Sequence, residues 1–208
     1  MIRKTFASAF SLAAIMTIGS LMPSDVYSQN VASQKAIYKS HSEELLNPKG
    51  AMILEGDIKT SGVGDLLIGV SMECALWTGT SNTATKGGSK TTSESRAAVN
   101  VRVYVDGALA EPGQVVYCDR QQTVSLQFLS DDTINITNDA ILLEMFLKTK
   151  NANHFNFYAN NPGSGVHHVE VYVDSFVEYT AGSPEVVVSN TRAAVGKRSL
   201  AIEESNNP

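Results

Sequence analysis

From Asp65 to Trp77 the chain alternates. Leu66, Ile68, Val70, Met72, Cys74 and Leu76 make one row; Leu67, Gly69, Ser71, Glu73, Ala75 and Trp77 make the other. A period of two is that of a strand with one face on an apolar interior, whereas a helix would scatter the first row around its circumference. Cys74 is therefore expected to point inward. The rhythm returns at Val99, Val101, Val103 and Val105, set against Asn100, Arg102 and Tyr104, and again at Val124, Leu126 and Phe128. Ile141, Leu143, Met145 and Leu147 alternate with Leu142, Glu144, Phe146 and Lys148. Phe155, Phe157 and Ala159 follow, then Val169, Val171 and Val173 against His168, Glu170, Tyr172 and Asp174. Residues 51–57, 186–189 and 199–203 are weaker runs of the same kind. Val116 and Cys118 share a row, which turns the second cysteine inward and Tyr117 outward.

Turn chemistry separates these runs: Asp106-Gly107, Glu111-Pro112-Gly113, Ser130-Asp131-Asp132, Asn160-Asn161-Pro162-Gly163 and Ala181-Gly182-Ser183-Pro184. Short strands at this spacing, with no helical period between them, predict an all-β fold of two packed antiparallel sheets, immunoglobulin-like or jelly-roll-like. The sandwich is expected to be a single domain over 51–203, preceded by an extended segment at 29–50 and followed by a disordered tail at 204–208. Thr78 to Arg96 has no apolar side chain beyond Ala84 and Ala97 lies just past it, so this stretch reads as a long polar loop.

The first residues follow a different logic. Arg3 and Lys4 precede an apolar segment from Phe6 to Met22, Pro23 ends it, and Val26-Tyr27-Ser28 supplies small residues for cleavage. That is the pattern of a secretory signal peptide at 1–28. A retained anchor is the alternative, because the apolar run approaches the length that spans a bilayer. The expected location is extracytoplasmic, with no stable membrane span after cleavage. Net charge is −5 and the basic residues are scattered, which argues against a nucleic-acid partner.

Compartment decides how the two cysteines are read. Both fall in the exported part, where an even pair implies one disulfide, Cys74–Cys118; two buried thiols are the alternative if the chain is not exported. They stand 44 positions apart, and closing such a loop is worth about 4 kcal/mol in the chain-entropy model.

Catalytic chemistry finds little support. No serine sits in a nucleophile-elbow pattern, and the cysteines are consumed by each other. His167 and His168 are adjacent, so they point to opposite faces of a strand and at most one joins His154; zinc wants three or four converging ligands. Asp131, Asp132, Asn138 and Asp139 concentrate oxygen donors that suit calcium, without the glycine and bidentate glutamate of the helical calcium loop. No other cofactor is expected. Asn135-Ile136-Thr137 satisfies the glycosylation sequon. Glu73 and Glu144 are the acids a hydrolase would use.

Trp77, Tyr104, Tyr117, Phe146 and Tyr172 all stand opposite the apolar rows, where a sheet meets water. Outward aromatics form a contact surface for sugar rings or for another protein. The stretch Gly163-Ser164-Gly165-Val166-His167-His168-Val169-Glu170-Val171-Tyr172-Val173 resembles the G-x-H-x-V-x-V strand of immunoglobulin-like and fibronectin-like extracellular modules. Trp77 follows Cys74 almost at once and Tyr117 abuts Cys118, unlike the immunoglobulin spacing, so the resemblance implies the sandwich architecture and no site residues. The expected function is that of an exported, non-enzymatic sandwich acting through surface contacts with another protein or with itself. A carbohydrate-binding module using the outward aromatics is the alternative, and a secreted hydrolase a more distant one.

Overall fold

The computed structural model describes residues 36–62, 64–85, 88–127, 140–180 and 190–205, all of which are strand or connection. In chain order the strands are β1 (Ala36–His41), β2 (Leu45–Leu46), β3 (Ala51–Thr60), β4 (Asp65–Thr85), β5 (Thr91–Val105), β6 (Ala108–Leu109), β7 (Val115–Leu126), β8 (Ala140–Ala159), β9 (Gly165–Thr180) and β10 (Arg192–Ser205). Sheet A runs β1-β10-β4-β8, with β2 beside β10. Sheet B runs β3-β9-β5, with β6 and β7 sharing the far side of β5. Every pairing is antiparallel. From β3 to β5, and again from β7 to β10, each strand lies in the other sheet from its predecessor, which is jelly-roll rather than immunoglobulin connectivity.

The apolar rows read from the sequence meet between the sheets. Leu66, Ile68, Val70, Met72 and Cys74 of β4 face Val99, Val101 and Val103 of β5 and Val169, Val171 and Val173 of β9, all essentially inaccessible to water. Leu200 and Ile202 of β10, Ile58 of β3 and Phe157 of β8 complete that interior. Cys74 in sheet A and Cys118 in sheet B form a disulfide across it.

Three bulges modify the alternation. Cys118 pairs with Val99 and Val116 with Asn100, leaving Tyr117 as an extra residue on β7. A bulge sets two consecutive residues opposite one and re-aims them. Tyr117 is thereby carried inward beside Cys118, 7% exposed, with its hydroxyl donating to the Val70 carbonyl at 2.8 Å. The expectation that Tyr117 faces outward is thus corrected: strict parity fails at the bulge. Burial pushes its phenol well above the ordinary range, against a smaller opposing effect of a backbone bond at Phe155.

The same device recurs at Ile53 of β3, the extra residue between Met52 and Leu54, where Ile53 and Leu54 are both buried. The break in β10 lies between Val195 and Arg198. Arg198 is buried there, donating from Nε to the Ile53 carbonyl at 3.1 Å and from Nη1 to the carbonyls of Glu43 and Gly196, at 2.6 and 3.1 Å. One guanidinium thus ties sheet A to sheet B on the side of the sandwich away from the disulfide. Burial lowers its pKa, and the nearby Glu43 opposes that shift.

Two expectations change at the ends of strands. Thr78 to Arg96 is not a loop: β4 continues to Thr85 and β5 begins at Thr91. The inward positions are filled by Thr78, Thr80, Asn82, Ser93 and Ser95, all buried. Gln122 serves this polar interior, accepting from Thr78 Oγ1 at 2.7 Å and donating to Thr80 Oγ1 at 3.0 Å. The 204–208 tail is corrected in part: Glu204 and Ser205 continue β10, opposite Leu66 and Asp65, and Glu204 is 2% exposed. In the 29–50 segment, residues 36–41 and 45–46 are strands of sheet A. The signal segment at 1–28, the 186–189 run, Asp131, Asp132, Asn135, Asn138 and Asp139 lie outside the described residues.

Replacing Cys74 and Cys118 together by alanine is expected to lower unfolding stability by about 4 kcal/mol, read by urea denaturation of the oxidised wild type against the variant. Arg198→Met, which strands three carbonyl acceptors, is expected to cost roughly 3 kcal/mol in the same assay.

Candidate functional site

The five aromatics singled out from the sequence do not gather. Trp77 and Phe146 lie on the outer face of sheet A, Tyr104 and Tyr172 on the outer face of sheet B, and Tyr117 in the core.

On sheet A, Trp77 sits on the central strand β4, with Arg192 of β10 opposite it on one side and Lys148 of β8 on the other. The Arg192 guanidinium carbon is 4.6 Å from the ring centroid and the Lys148 ammonium 4.9 Å. Both lie within cation–π range. Phe146 lies across Gly79, where an added Cβ would stand 3.1 Å from the ring, and half of its surface stays open to solvent. Trp77, Phe146, Lys148, Asn190 and Arg192 line a shallow depression here. The next cation along β8, Lys150, bonds Glu73 at 2.9 Å, which with the Lys197 N–H holds the Glu73 carboxyl below its ordinary range, against the opposing effect of burial.

Sequence reasoning found Trp77 and Phe146 but not the two cations. Their sequence distance from Trp77 is large, and only strand pairing puts Lys148 and Arg192 level with it. The flanking cations also change what the ring can do. A tryptophan between two cations offers less free face for stacking on a neutral sugar, and the ensemble suits an anionic group held beside an aromatic plane.

On sheet B, Tyr104 and Tyr172 pack edge to face with centroids 5.6 Å apart, beside the Arg102–Asp174 ion pair. Towards the other end of that face, His168 bonds Asp57 through Nδ1 at 2.6 Å, with Glu55 and Glu170 each 3.8 Å from Nε2. The bond to Asp57, reinforced by the charges of Asp57, Glu170 and Glu55, raises the His168 pKa above its ordinary value, with burial opposing.

His167 turns inward. Its Nδ1 meets Asp106 at 2.7 Å, and its Nε2 lies 3.0 Å from Thr60 Oγ1 and 3.1 Å from the Gly163 carbonyl. The order hydroxyl, imidazole, carboxylate is that of a hydrolytic triad. Thr60, however, is 2% exposed, and its hydroxyl donates to the Gly163 carbonyl at 2.7 Å. The group instead ties the 160–164 turn to β3 and to the Asp106-Gly107 turn, where both residues have positive φ. Burial pushes the Asp106 carboxyl upward; the bonds from His167 and the His168 N–H outweigh it and hold that carboxyl below its ordinary range.

The remaining candidates are dispersed. His154 lies on the outer face of sheet A, bonded to Ser71 at 2.8 Å and Asn156 at 2.9 Å, in the other sheet from His167 and His168. Glu73 and Glu144 share that face but stand eight positions apart along β4 and β8. At the strand rise this is about 27 Å, far outside the separation a pair of hydrolytic carboxylates needs. Among the described residues no three His, Cys, Asp or Glu side chains converge as metal ligands.

No family model matches this sequence, and no curated protein does. Among solved structures, that of the Gx strain of infectious bursal disease virus aligns with 84% of this chain and 42% of its own, at 10% identity and a TM-score of 0.20. The crystal structure of the T13 particle of the same virus aligns with 84% of this chain and 40% of its own, at 11% identity and a TM-score of 0.20. The chain spans less than half the length of either, and its fold is established by its own strand order.

The His168 cluster has a definite pH signature. A folded pKa above the unfolded one contributes stability that is complete below about pH 6.5, the ordinary imidazole value, and is lost as pH rises through the raised value. The urea midpoint of the wild type is expected to fall across that window by more than that of Asp57→Asn, in which the bond that contributes most to the shift is gone.

Proposed function

We propose that this protein is an exported, non-enzymatic β-sandwich that works by contact through its outer surface, as a structural or protein-interaction module of an envelope or extracellular space. One observation carries this reading above the rest: Trp77, Phe146, Lys148 and Arg192 form an accessible cluster of aromatic and cationic groups on the outer face of sheet A. The interior supplies packing and a disulfide, and that cross-link is at home in an oxidising compartment. Fractionation of the producing cells, with alkylation of free thiols before lysis, tests the compartment. Protein outside the cytoplasm with both cysteines resistant to alkylation is expected; a cytosolic protein with two reactive thiols overturns the reading.

A second reading is favoured by the two cations beside Trp77: a carbohydrate-binding module selective for acidic polysaccharides. Calorimetric titration with polygalacturonate and heparin, against dextran as the neutral control, tests it. Binding to the acidic polymers alone is expected, weakened about threefold or more by Trp77→Ala and by Arg192→Ala, each of which removes one member of an exposed cation–aromatic contact. Equal binding by both variants, or no binding to the acidic polymers, removes this reading.

A further inference from the structure

Strand β8 ends sheet A, and among the described residues most of its outer edge has no partner. Near its C-terminal end, Tyr158 and Glu111 exchange both backbone bonds, at 2.8 and 2.9 Å. Tyr158 therefore turns its N–H and C=O away from β4. Because β8 pairs with β4 from Ala140 to Ala159 without a register break, every even-numbered residue of β8 does the same. Among the described residues nothing pairs with that edge between Leu142 and Lys150. The stretch carries no proline and no bulge of the kind that blunts edges. It also carries exposed apolar side chains: Leu142 is 54% exposed, Phe146 50%, and Met145 and Leu147 39% each.

The sequence of this edge is complementary to itself about Phe146. Laid antiparallel on a second copy, with Phe146 opposite its counterpart, Glu144 meets Lys148 twice and Met145 meets Leu147 twice. Leu142 then lies against the aliphatic stem of Lys150. Even residues face even residues, which is what the edge geometry requires, and those are the pairs that exchange both backbone bonds. Moving the centre to Leu147 keeps a Glu–Lys match through Lys150 but sets Phe146 against Lys148 and Met145 against Thr149. Moving it to Met145 leaves Glu144 with no lysine opposite. The register centred on Phe146 alone joins the charge match to the apolar match.

We propose that a second copy of this chain pairs here, β8 to β8 about a two-fold axis at Phe146, so that two copies of sheet A become one continuous sheet. The interface is isologous: the same edge serves both copies and closes on itself. It rests on the contact-module reading above and names the partner. Met145 and Leu147 lie on the interior row of β8 yet stay partly open in a single copy, and the pairing covers them. Lys148 lies between Trp77 of its own copy and Glu144 of the other.

Sedimentation velocity of the purified, oxidised protein, from low micromolar to submillimolar concentration, tests this. The wild type is expected to dimerise as concentration rises. Glu144→Lys and Lys148→Glu each set like charges opposite one another at two symmetric places and are expected to weaken the dimer about tenfold. The double variant Glu144→Lys/Lys148→Glu restores opposite charges and is expected to return to within about threefold of wild type. Phe146→Cys supplies a readout independent of charge: mild oxidation is expected to give a dimer linked through position 146, since residues opposite one another across an antiparallel pair lie within disulfide reach. A wild type that stays monomeric throughout, a double variant no better than the single ones, or absence of the cross-link overturns the proposal. Localisation of the Glu144→Lys protein separates the two readings: if it is exported and oxidised but the wild type never dimerises, the edge proposal alone has failed.

Discussion

The structure depends on one constraint, that a space between two sheets must be filled from both sides by alternate residues. Valines of β5 and β9 meet the leucine, isoleucine and methionine row of β4, and burial of that apolar surface is the main favourable term in folding. The constraint is obeyed by parity along most of each strand. Where parity would expose a residue the interior needs, a bulge shifts it. Tyr117 enters the core beside Cys118 in this way, and Ile53 beside Leu54. The third break, in β10, frees Arg198 to bond carbonyls of both sheets. Disulfide and guanidinium thus clamp opposite sides of the sandwich, and each lies at a bulge.

Much of this was legible in the sequence. The central strands, the inward cysteine of β4, the Asp106-Gly107 turn and the two-sheet architecture follow from a period of two and from turn residues. Strand order does not, because a periodicity says which face a residue takes and nothing about which strand lies beside it. The distal halves of β4 and β5 were hidden for another reason. Their inward row is threonine, serine and asparagine, so the hydrophobic signal stops while the strand goes on. Tyr117 was misplaced because a bulge leaves no compositional mark. At the candidate site, Trp77 and Phe146 were visible as outward aromatics, while Lys148 and Arg192 became part of it only through cross-strand pairing.

The chemistry of the molecule lies on its outside. Each outer face has its own character: an aromatic ring between two cations on sheet A, and a histidine among three carboxylates beyond a tyrosine pair on sheet B. The inward histidine, His167, is spent on holding turns. Such a distribution suits a protein that presents surfaces, and the open edge of β8 adds a place where backbone as well as side chains can engage.

Amide hydrogen exchange along β8, followed by NMR as a function of protein concentration, tests most directly the central claim of a sandwich whose β8 edge is self-complementary. The odd-numbered amides Leu143, Met145 and Leu147 face β4 and should exchange slowly at every concentration. Glu144, Phe146 and Lys148 should exchange fast in dilute solution and slow down as concentration rises. Equal protection of both sets at the lowest concentration, or no dependence of the even set on concentration, would contradict it.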